Sequence, residues 1–381
     1  MKLSVVIPAL NEANSIAICI RKALGSIRRM GITGEVVVAD NGSTDGTVEI
    51  AEREGARVVA IAEKGYGHAC MGGLDAAAGE YLIMGDADDS YNFDAIERFI
   101  RELEKGYDFV IGNRFRGTIE KGAMPPLHRY LGTPILAIIM NLFFRTGTGD
   151  PNCGMRAMTK RAFLKMKLRA GGMEFATEMV VKATRVGLKI SEVPCDLFRD
   201  KRGRRPHLDT WADGWRALRF MLLFSTTWTF LIPGTALALI GTTGMAVLFA
   251  RDLIDPSLWM PYLSQKHMLS AMLVAIHGTQ VLGMGLAADA FTYSHTFDRT
   301  KKSVKLLRLF RLEGGLKAGF ALSLAGAAAF VYLFFSYLGK LPSPNELIRF
   351  DIAVLAAYFF LLGVQMVFLS FLLSLFYLKV K

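Results

Sequence analysis

Two aspartates stand two residues apart in Asp86-Ala87-Asp88-Asp89-Ser90, directly after the apolar stretch Tyr81–Met84. Inside a strand, side chains at that spacing point to opposite faces. Just past a strand end, where the chain turns, both carboxylates can converge on one hard cation. Mg²⁺ or Mn²⁺ takes one or two carboxylates and fills its remaining positions with water and phosphate oxygens. A calcium loop of the EF-hand type is excluded, because no glycine occupies the sixth position. Standing alone, the pair could be a solvated acidic turn. Beside Asp40 and the Asn11-Glu12 loop it reads as part of a site.

Such a site needs a frame. Leu3–Ile7, Glu35–Ala39, Arg57–Ile61, Tyr81–Met84 and Phe109–Ile111 are short apolar runs that predict buried strands. Between them Asn14–Met30, Thr47–Glu54, Tyr66–Ala77 and Asp94–Glu104 predict helices. This alternation implies an α/β fold around a mostly parallel sheet, with ligands bound beyond the carboxyl ends of the strands. Each strand is followed there by a polar loop: Pro8–Glu12, Asp40–Thr47, Lys64–His68, Asp86–Ser90 and Gly112–Arg114. Gly65-x-Gly67 invites a dinucleotide reading, but Cys70 stands at the third glycine position and the loop follows the third strand, so that reading fails.

Of the 381 residues, 52% are hydrophobic and 21% charged, which implies a soluble part joined to a membrane part. The net charge of +11 is spread evenly: 13 Lys/Arg face 7 Asp/Glu from residue 229 onward, and 32 face 27 before it. No polybasic tail marks a nucleic-acid partner. Cys19, Cys70, Cys153 and Cys195 lie far apart, and reduced cytosolic thiols are expected. Pro8 and Asn11-Glu12 interrupt the first apolar run, so a signal peptide is not expected.

Four later stretches, Thr229–Ala250, Met268–Phe291, Lys317–Leu338 and Ile352–Leu378, predict transmembrane helices. At ~1.5 Å per residue, about 22 residues cover a bilayer's ~30 Å hydrocarbon core. The 292–316 loop holds Arg299, Lys301, Lys302, Lys305, Arg308 and Arg311, whereas the other two loops hold two basic residues each. By the positive-inside rule this loop, the N-terminal region and the C-terminus are cytoplasmic, which places a multi-pass protein in the cell membrane. Leu131–Phe144 is apolar but too short to span, and Trp211–Trp228 mixes aromatics with Arg216 and Arg219. Both predict helices lying in the headgroup plane. The expected domains are 1–210, an interface helix at 211–228, and a four-helix transmembrane domain at 229–381.

The motifs VVIPALNE, DNGSTDGT, KGYGHA, DADDS, GNRF, DPNCGMRAM and EVPCDLFRDKRGRRPH, in this order over residues 1 to about 210, resemble a family-2 glycosyltransferase of the GT-A fold. More narrowly, the chain is similar to the polyprenyl-phosphate sugar synthases typified by dolichol-phosphate mannose and glucose synthases. The resemblance implies a GT-A domain followed by a transmembrane bundle. It implies transfer of a hexose, with inversion, from a UDP- or GDP-linked sugar to a dolichyl or undecaprenyl phosphate. By position, Pro8, Asn11, Glu12, Asp40, Lys64 and Ala87 would hold the donor, and Asp86 and Asp88 would bind Mg²⁺ or Mn²⁺. Ser90 stands where the mannose synthases often carry a metal-bound glutamine. Arg114, Arg129 and Arg202 would face the acceptor phosphate, and Arg199 and Arg205 would grip the donor diphosphate, with arginine where those synthases have lysine at 205. Asp88, Arg114, Arg129 and Arg205 would be the catalytic set. Asp150, Glu174 and Glu178 are candidates for sugar-hydroxyl contacts or assistance with catalysis, and His128 and His207 for phosphate contacts.

The implied chemistry is physically consistent. A lipid monophosphate is already anionic, so it needs little help from a general base. The site must hold two phosphate groups together, a task suited to a cation and to guanidinium forks. Three alternatives stay in view. A processive polysaccharide synthase would carry Q-x-x-R-W, which none of Trp211, Trp215, Trp228 or Trp259 completes. A transferase acting on a lipid or glycan hydroxyl would need a placed base. A non-catalytic scaffold or flippase would need polar groups along its spans. Whether the spans support a homo-oligomer is open.

Overall fold

In the computed structural model, which describes residues 1–201, 203, 210–254, 265–295 and 312–377, the chain divides into two compact units, Met1–Met221 and Leu222–Lys381. The first is built around one seven-stranded sheet of order β3-β2-β1-β4-β6-β5-β7. Its strands are β1 (Leu3–Ala9), β2 (Gly34–Asp40), β3 (Arg57–Ala60), β4 (Tyr81–Met84), β5 (Phe109–Asn113), β6 (Arg156–Thr159) and β7 (Ile190–Pro194). All pairings are parallel except those of β6, which runs antiparallel to both β4 and β5. The helices are α1 (Ile16–Arg29), α2 (Thr47–Arg53), α3 (Tyr66–Ala76), α4 (Glu97–Glu104), α5 (Thr133–Phe144), α6 (Lys160–Met166), α7 (Phe175–Arg185) and α8 (Thr210–Phe224), the last straddling the division.

The five strands expected from apolar runs are present, although β3, at the edge of the sheet, is not buried as expected: Arg57 and Ala60 are exposed and Val58 and Val59 half-buried. Their helices are present too, except that Asp94–Glu104 is a short 3₁₀ turn, Phe93–Ala95, followed by α4. Leu3, Val5, Val6 and Ile7 of β1 are fully buried, each worth ~1.5–3 kcal/mol of hydrophobic burial. Strands β6 and β7 carry too little signal to be read from sequence: β6 begins with an arginine, and β7 holds Glu192 and ends in Pro194.

A π-helical turn, His128–Gly132, leads into α5, whose Pro134 lies in the first turn where no intrahelical N–H is required. One side of α5 buries Ala137 and Met140 in the core, while Leu131, Ile135, Ile138 and Leu142 are 43–65% exposed. Trp211 and Trp215 of α8 are also exposed.

The second unit contains α9 (Ile232–Ile254), α10 (Gln265–His295), α11 (Leu312–Tyr337) and α12 (Glu346–Tyr377). With a π-helical turn before α9, they provide four segments long and apolar enough to cross a membrane: Thr227–Ile254, Gln265–Phe291, Leu312–Tyr337 and Glu346–Phe376. Gly241 and Gly278 let α9 and α10 approach closely, and a Cβ at Gly278 would lie 2.2 Å from the Ala238 nitrogen. The basic 292–316 loop lies mostly outside the described residues.

Candidate active site

The site opens where β1 and β4 part. Pairing between them ends at Val6↔Met84, although β1 stays paired with β2 as far as Ala9↔Asp40. Gly85 donates to the Val6 carbonyl, so the even-numbered backbone groups of β1 face β4. Pro8 is therefore placed where its missing N–H has no strand to bond. This gap, at the carboxyl ends of the strands and beside the switch in strand order, is where α/β sheets bind ligands.

Two loops laced together form one wall. Asp40 accepts from the Gly42 and Ser43 N–H groups at 2.9 and 3.1 Å. Asn11, in a left-handed conformation (φ 58°), donates its N–H to Ser43 Oγ and accepts from Thr44 N at 2.8 Å. The Glu12 N–H donates to Thr47 Oγ1. Lys64 Nζ donates to the Asn41 carbonyl at 2.6 Å, and the Gly65 N–H to Asn41 Oδ1. Pro8, Asn11, Glu12, Asp40 and Lys64 thus share one crescent at the ends of β1, β2 and β3.

Asp86 accepts at Oδ1 from the Tyr66 hydroxyl, 3.0 Å away. Burial, and then the nearby Asp86 charge, push the Tyr66 phenol well above its usual range, so it stays a donor. Asp88 is buried and accepts at Oδ1 from both the Ser90 N–H and the Ser90 hydroxyl, at 3.0 and 2.6 Å. Ser90 therefore orients Asp88. Ala87 is buried between the two acids, and its carbonyl accepts from Cys19 Sγ.

A third loop closes on Asp86. Arg156 is fully buried and donates to three carbonyls, those of Pro151, Cys153 and Ala176, which fixes the Asp150–Met155 turn. A Cβ on Gly154 in that turn would lie 2.5 Å from Asp86 Oδ2 and 3.0 Å from the Tyr91 ring. The cheapest relief is rotation of the Asp86 carboxylate. Gly154→Ala is thus expected to lower turnover about tenfold or more while shifting stability by less than about 1 kcal/mol; paired activity and unfolding measurements check this split.

Across the gap, Arg114 forks onto Asp150 at 2.7 and 2.8 Å and also donates its backbone N–H to that carboxylate. Asp150 is fully buried, so its carboxylate is committed to Arg114. Glu178, also buried, pairs with Lys182 at 2.7 Å and accepts from the Arg169 and Ala170 N–H groups. Neither acid has the freedom of a sugar ligand, which corrects the sequence expectation for both. Burial, and then Arg114, hold His128 below the usual histidine range. Arg129, one residue further on the π-helical turn, stacks over Tyr130 at 5.5 Å. Arg199 donates Nε to the Lys121 carbonyl at 2.6 Å. Arg202, Arg205 and His207 lie outside the described residues. Sequence reasoning missed Tyr66, Tyr91 and Arg156; their motifs, KGYGHA, DADDSY and DPNCGMRAM, were legible but nothing in them told a scaffold role from a binding one.

Asp86 and Asp88 are hard oxygen donors. Among the described residues no group of three or more His, Cys, Asp or Glu forms a metal cage. That donor set fits Mg²⁺ or Mn²⁺ completed by water and phosphate, and fits zinc or calcium poorly.

Residues 4–168 match Glycosyl transferase family 2, and residues 286–377 match Glycosyltransferase family 2 C-terminal transmembrane region. The low-salt glycan biosynthesis hexosyltransferase Agl6 of Haloferax volcanii is 33% identical, over 98% of this chain and 88% of that one. The chain belongs to the family-2 glycosyltransferases. Its GT-A sheet and four candidate spans make it a multi-pass membrane glycosyltransferase. A dolichyl-phosphate hexose transferase of the same organism is 31% identical over 56% of this chain and 89% of its own length. An undecaprenyl-phosphate 4-deoxy-4-formamido-L-arabinose transferase of Pseudomonas syringae pv. syringae is 26% identical over 75% and 84%.

Proposed function

We propose that this glycosyltransferase moves a hexose, with inversion, from a UDP- or GDP-linked sugar to a polyprenyl phosphate at the cytoplasmic face of the membrane. The observation that carries the reading is the acid pair Asp86/Asp88 at the β1–β4 gap, beside the Asn11–Asp40 crescent, in a chain with four candidate spans. The dolichyl- and undecaprenyl-phosphate transferases among its relatives support a lipid phosphate as acceptor. The basic 292–316 loop supports the cytoplasmic side.

In this mechanism Pro8, Asn11, Glu12, Asp40 and Lys64 hold the nucleoside end of the donor, with Ala87 beneath the diphosphate. Asp86 and Asp88 would hold Mg²⁺ or Mn²⁺, which when bound neutralises charge on the departing nucleotide diphosphate. Tyr66 and Ser90, each bonded to one oxygen of its acid, would steady the two carboxylates for that role. Arg199 and Arg205 would bind the donor phosphates, and Arg114, Arg129 and Arg202 the acceptor phosphate. Asp150 orients Arg114 through two parallel bonds, the geometry suited to presenting a guanidinium edge to phosphate. A neutral His128 adds no second charge beside it at neutral pH. Asp150 and Glu178 are committed to Arg114 and Lys182, which agrees with a phosphate acceptor that needs no base from either of them.

The exposed apolar strip of α5 and the tryptophans of α8 would lie in the headgroup plane, with Arg129 and Arg145 at the two ends of α5. Residues 1–210 would then be the catalytic domain, 211–228 the interface helix and 229–381 the anchor. Arg129→Ala is expected to raise the KM for lipid phosphate at least about tenfold and the KM for nucleotide sugar by less than about twofold. Steady-state kinetics in both substrates check it; equal effects on the two would overturn the acceptor assignment.

A further inference from the structure

The acid run contains a third carboxylate that the mechanism leaves unused. Asp89 is 1% exposed and adopts a left-handed backbone conformation, φ 59°. Each of its oxygens meets a different lysine. Lys22 of α1 reaches Oδ1 at 2.6 Å, and Lys201, beyond β7, reaches Oδ2 at 2.7 Å. The same strip of chain around Lys201 is sewn to the acid loop by its backbone. Phe198 N donates to the Ser90 carbonyl and Lys201 N to the Asp88 carbonyl, both at 2.9 Å. Leu197 also bridges to Tyr91 and to Ile119.

We propose that Asp89 is a positioning residue, a neutralised acid that locks Leu197–Lys201 against Asp86–Ser90 and so sets how that loop meets a cation-bound nucleotide diphosphate. This rests on the donor reading of Asp86 and Asp88. A non-glycine residue held in the left-handed region costs on the order of 1 kcal/mol, which the surroundings must outweigh. Here they do so with two ion pairs on one buried carboxylate. Removing the acid would leave Lys22 and Lys201 facing each other and free the Asp88 backbone on its outer side. Lys201 is half-exposed, so its pair with Asp89 adds little to global stability. Its effect is local.

The test is a double-mutant cycle on the detergent-purified full chain, with Asp89→Asn, Lys201→Met, their combination, and Lys201→Arg. Calorimetry reads Mn²⁺-dependent binding of UDP and of GDP. Asp89→Asn and Lys201→Met should each weaken binding of the preferred nucleotide about tenfold, and the combination should be no more than about threefold worse than Asp89→Asn. Lys201→Arg should stay within about threefold of wild type. In turnover, the KM for nucleotide sugar should rise while kcat and the KM for lipid phosphate hold, a split that a general loss of folding would not give. Effects that multiply to about a hundredfold, or unchanged binding in Asp89→Asn, would overturn the proposal alone. Failure of the wild type to bind either nucleotide with Mn²⁺ would remove the donor reading and this proposal with it.

Discussion

Asp88→Asn is expected to cut sugar transfer by about a thousandfold or more while the protein stays folded. The asymmetry follows from what each atom of Asp88 does. Its Oδ1 accepts two bonds from Ser90, and an asparagine Oδ1 can accept the same two. Its backbone carbonyl, which accepts from Lys201 N, is untouched. What is lost is the negative charge of the carboxylate, the property a hard cation requires. Excess EDTA should reproduce the loss in the wild type, and Mn²⁺ or Mg²⁺ should restore it. Folding can be followed in the catalytic unit itself, since Cys19, Cys70, Cys153 and Cys195 are all buried there and react with a thiol probe only on unfolding. Normal turnover in excess EDTA would contradict the metal role.

The largest loss of stability is expected at Glu178→Ala. Lys182 and Glu178 are 1% and 4% exposed at their side chains, one turn apart on α7. Breaking such a pair leaves the buried Lys182 ammonium its bond to the Lys167 carbonyl but takes away the Glu178 counter-charge, at a cost of about 3–5 kcal/mol. For a unit of this size that lowers the midpoint of thermal unfolding by about 10 °C. The damage should also reach the donor side. Glu178 accepts from the Arg169 and Ala170 N–H groups, and the loop it holds presents the Gly171 carbonyl to the His68 N–H. That loop sits so close to α3 that a Cβ on Gly67 would lie 2.1 Å from the Ala170 oxygen. Thiol-probe melting of the variant measures the loss. Adding Lys182→Met should recover part of it, because no charge is then left unpaired. A shift below about 2 °C in the single variant would show that the pair is not buried as described.

Much of this was legible in the sequence because periodic, apolar segments report themselves. Each of β1 to β5 holds three or more consecutive apolar residues, and the polar loops at their ends named the crescent and the acid pair. The four candidate spans were visible for the same reason. Strands β6 and β7 were not, since Arg156 opens one and Glu192 sits in the other; only tertiary contacts make those residues compatible with a sheet. The roles of polar residues were the harder problem. Asp150 and Glu178 have the composition of sugar ligands, yet each is committed to a buried cation. Asp89 sat unremarked between two candidate ligands because sequence spacing cannot show that two lysines 179 positions apart, Lys22 and Lys201, converge on one carboxylate.

The central claim is a reaction, and its product can be weighed. The purified protein should be incubated with polyprenyl phosphate, Mg²⁺ or Mn²⁺, and a panel of UDP- and GDP-hexoses, and the lipid fraction read by mass spectrometry. A new species heavier than the lipid phosphate by one hexosyl unit, formed with a single nucleotide class and absent with Asp88→Asn, is the predicted result. Transfer to a lipid hydroxyl in place of the phosphate, or an equal yield from Asp88→Asn, would contradict it.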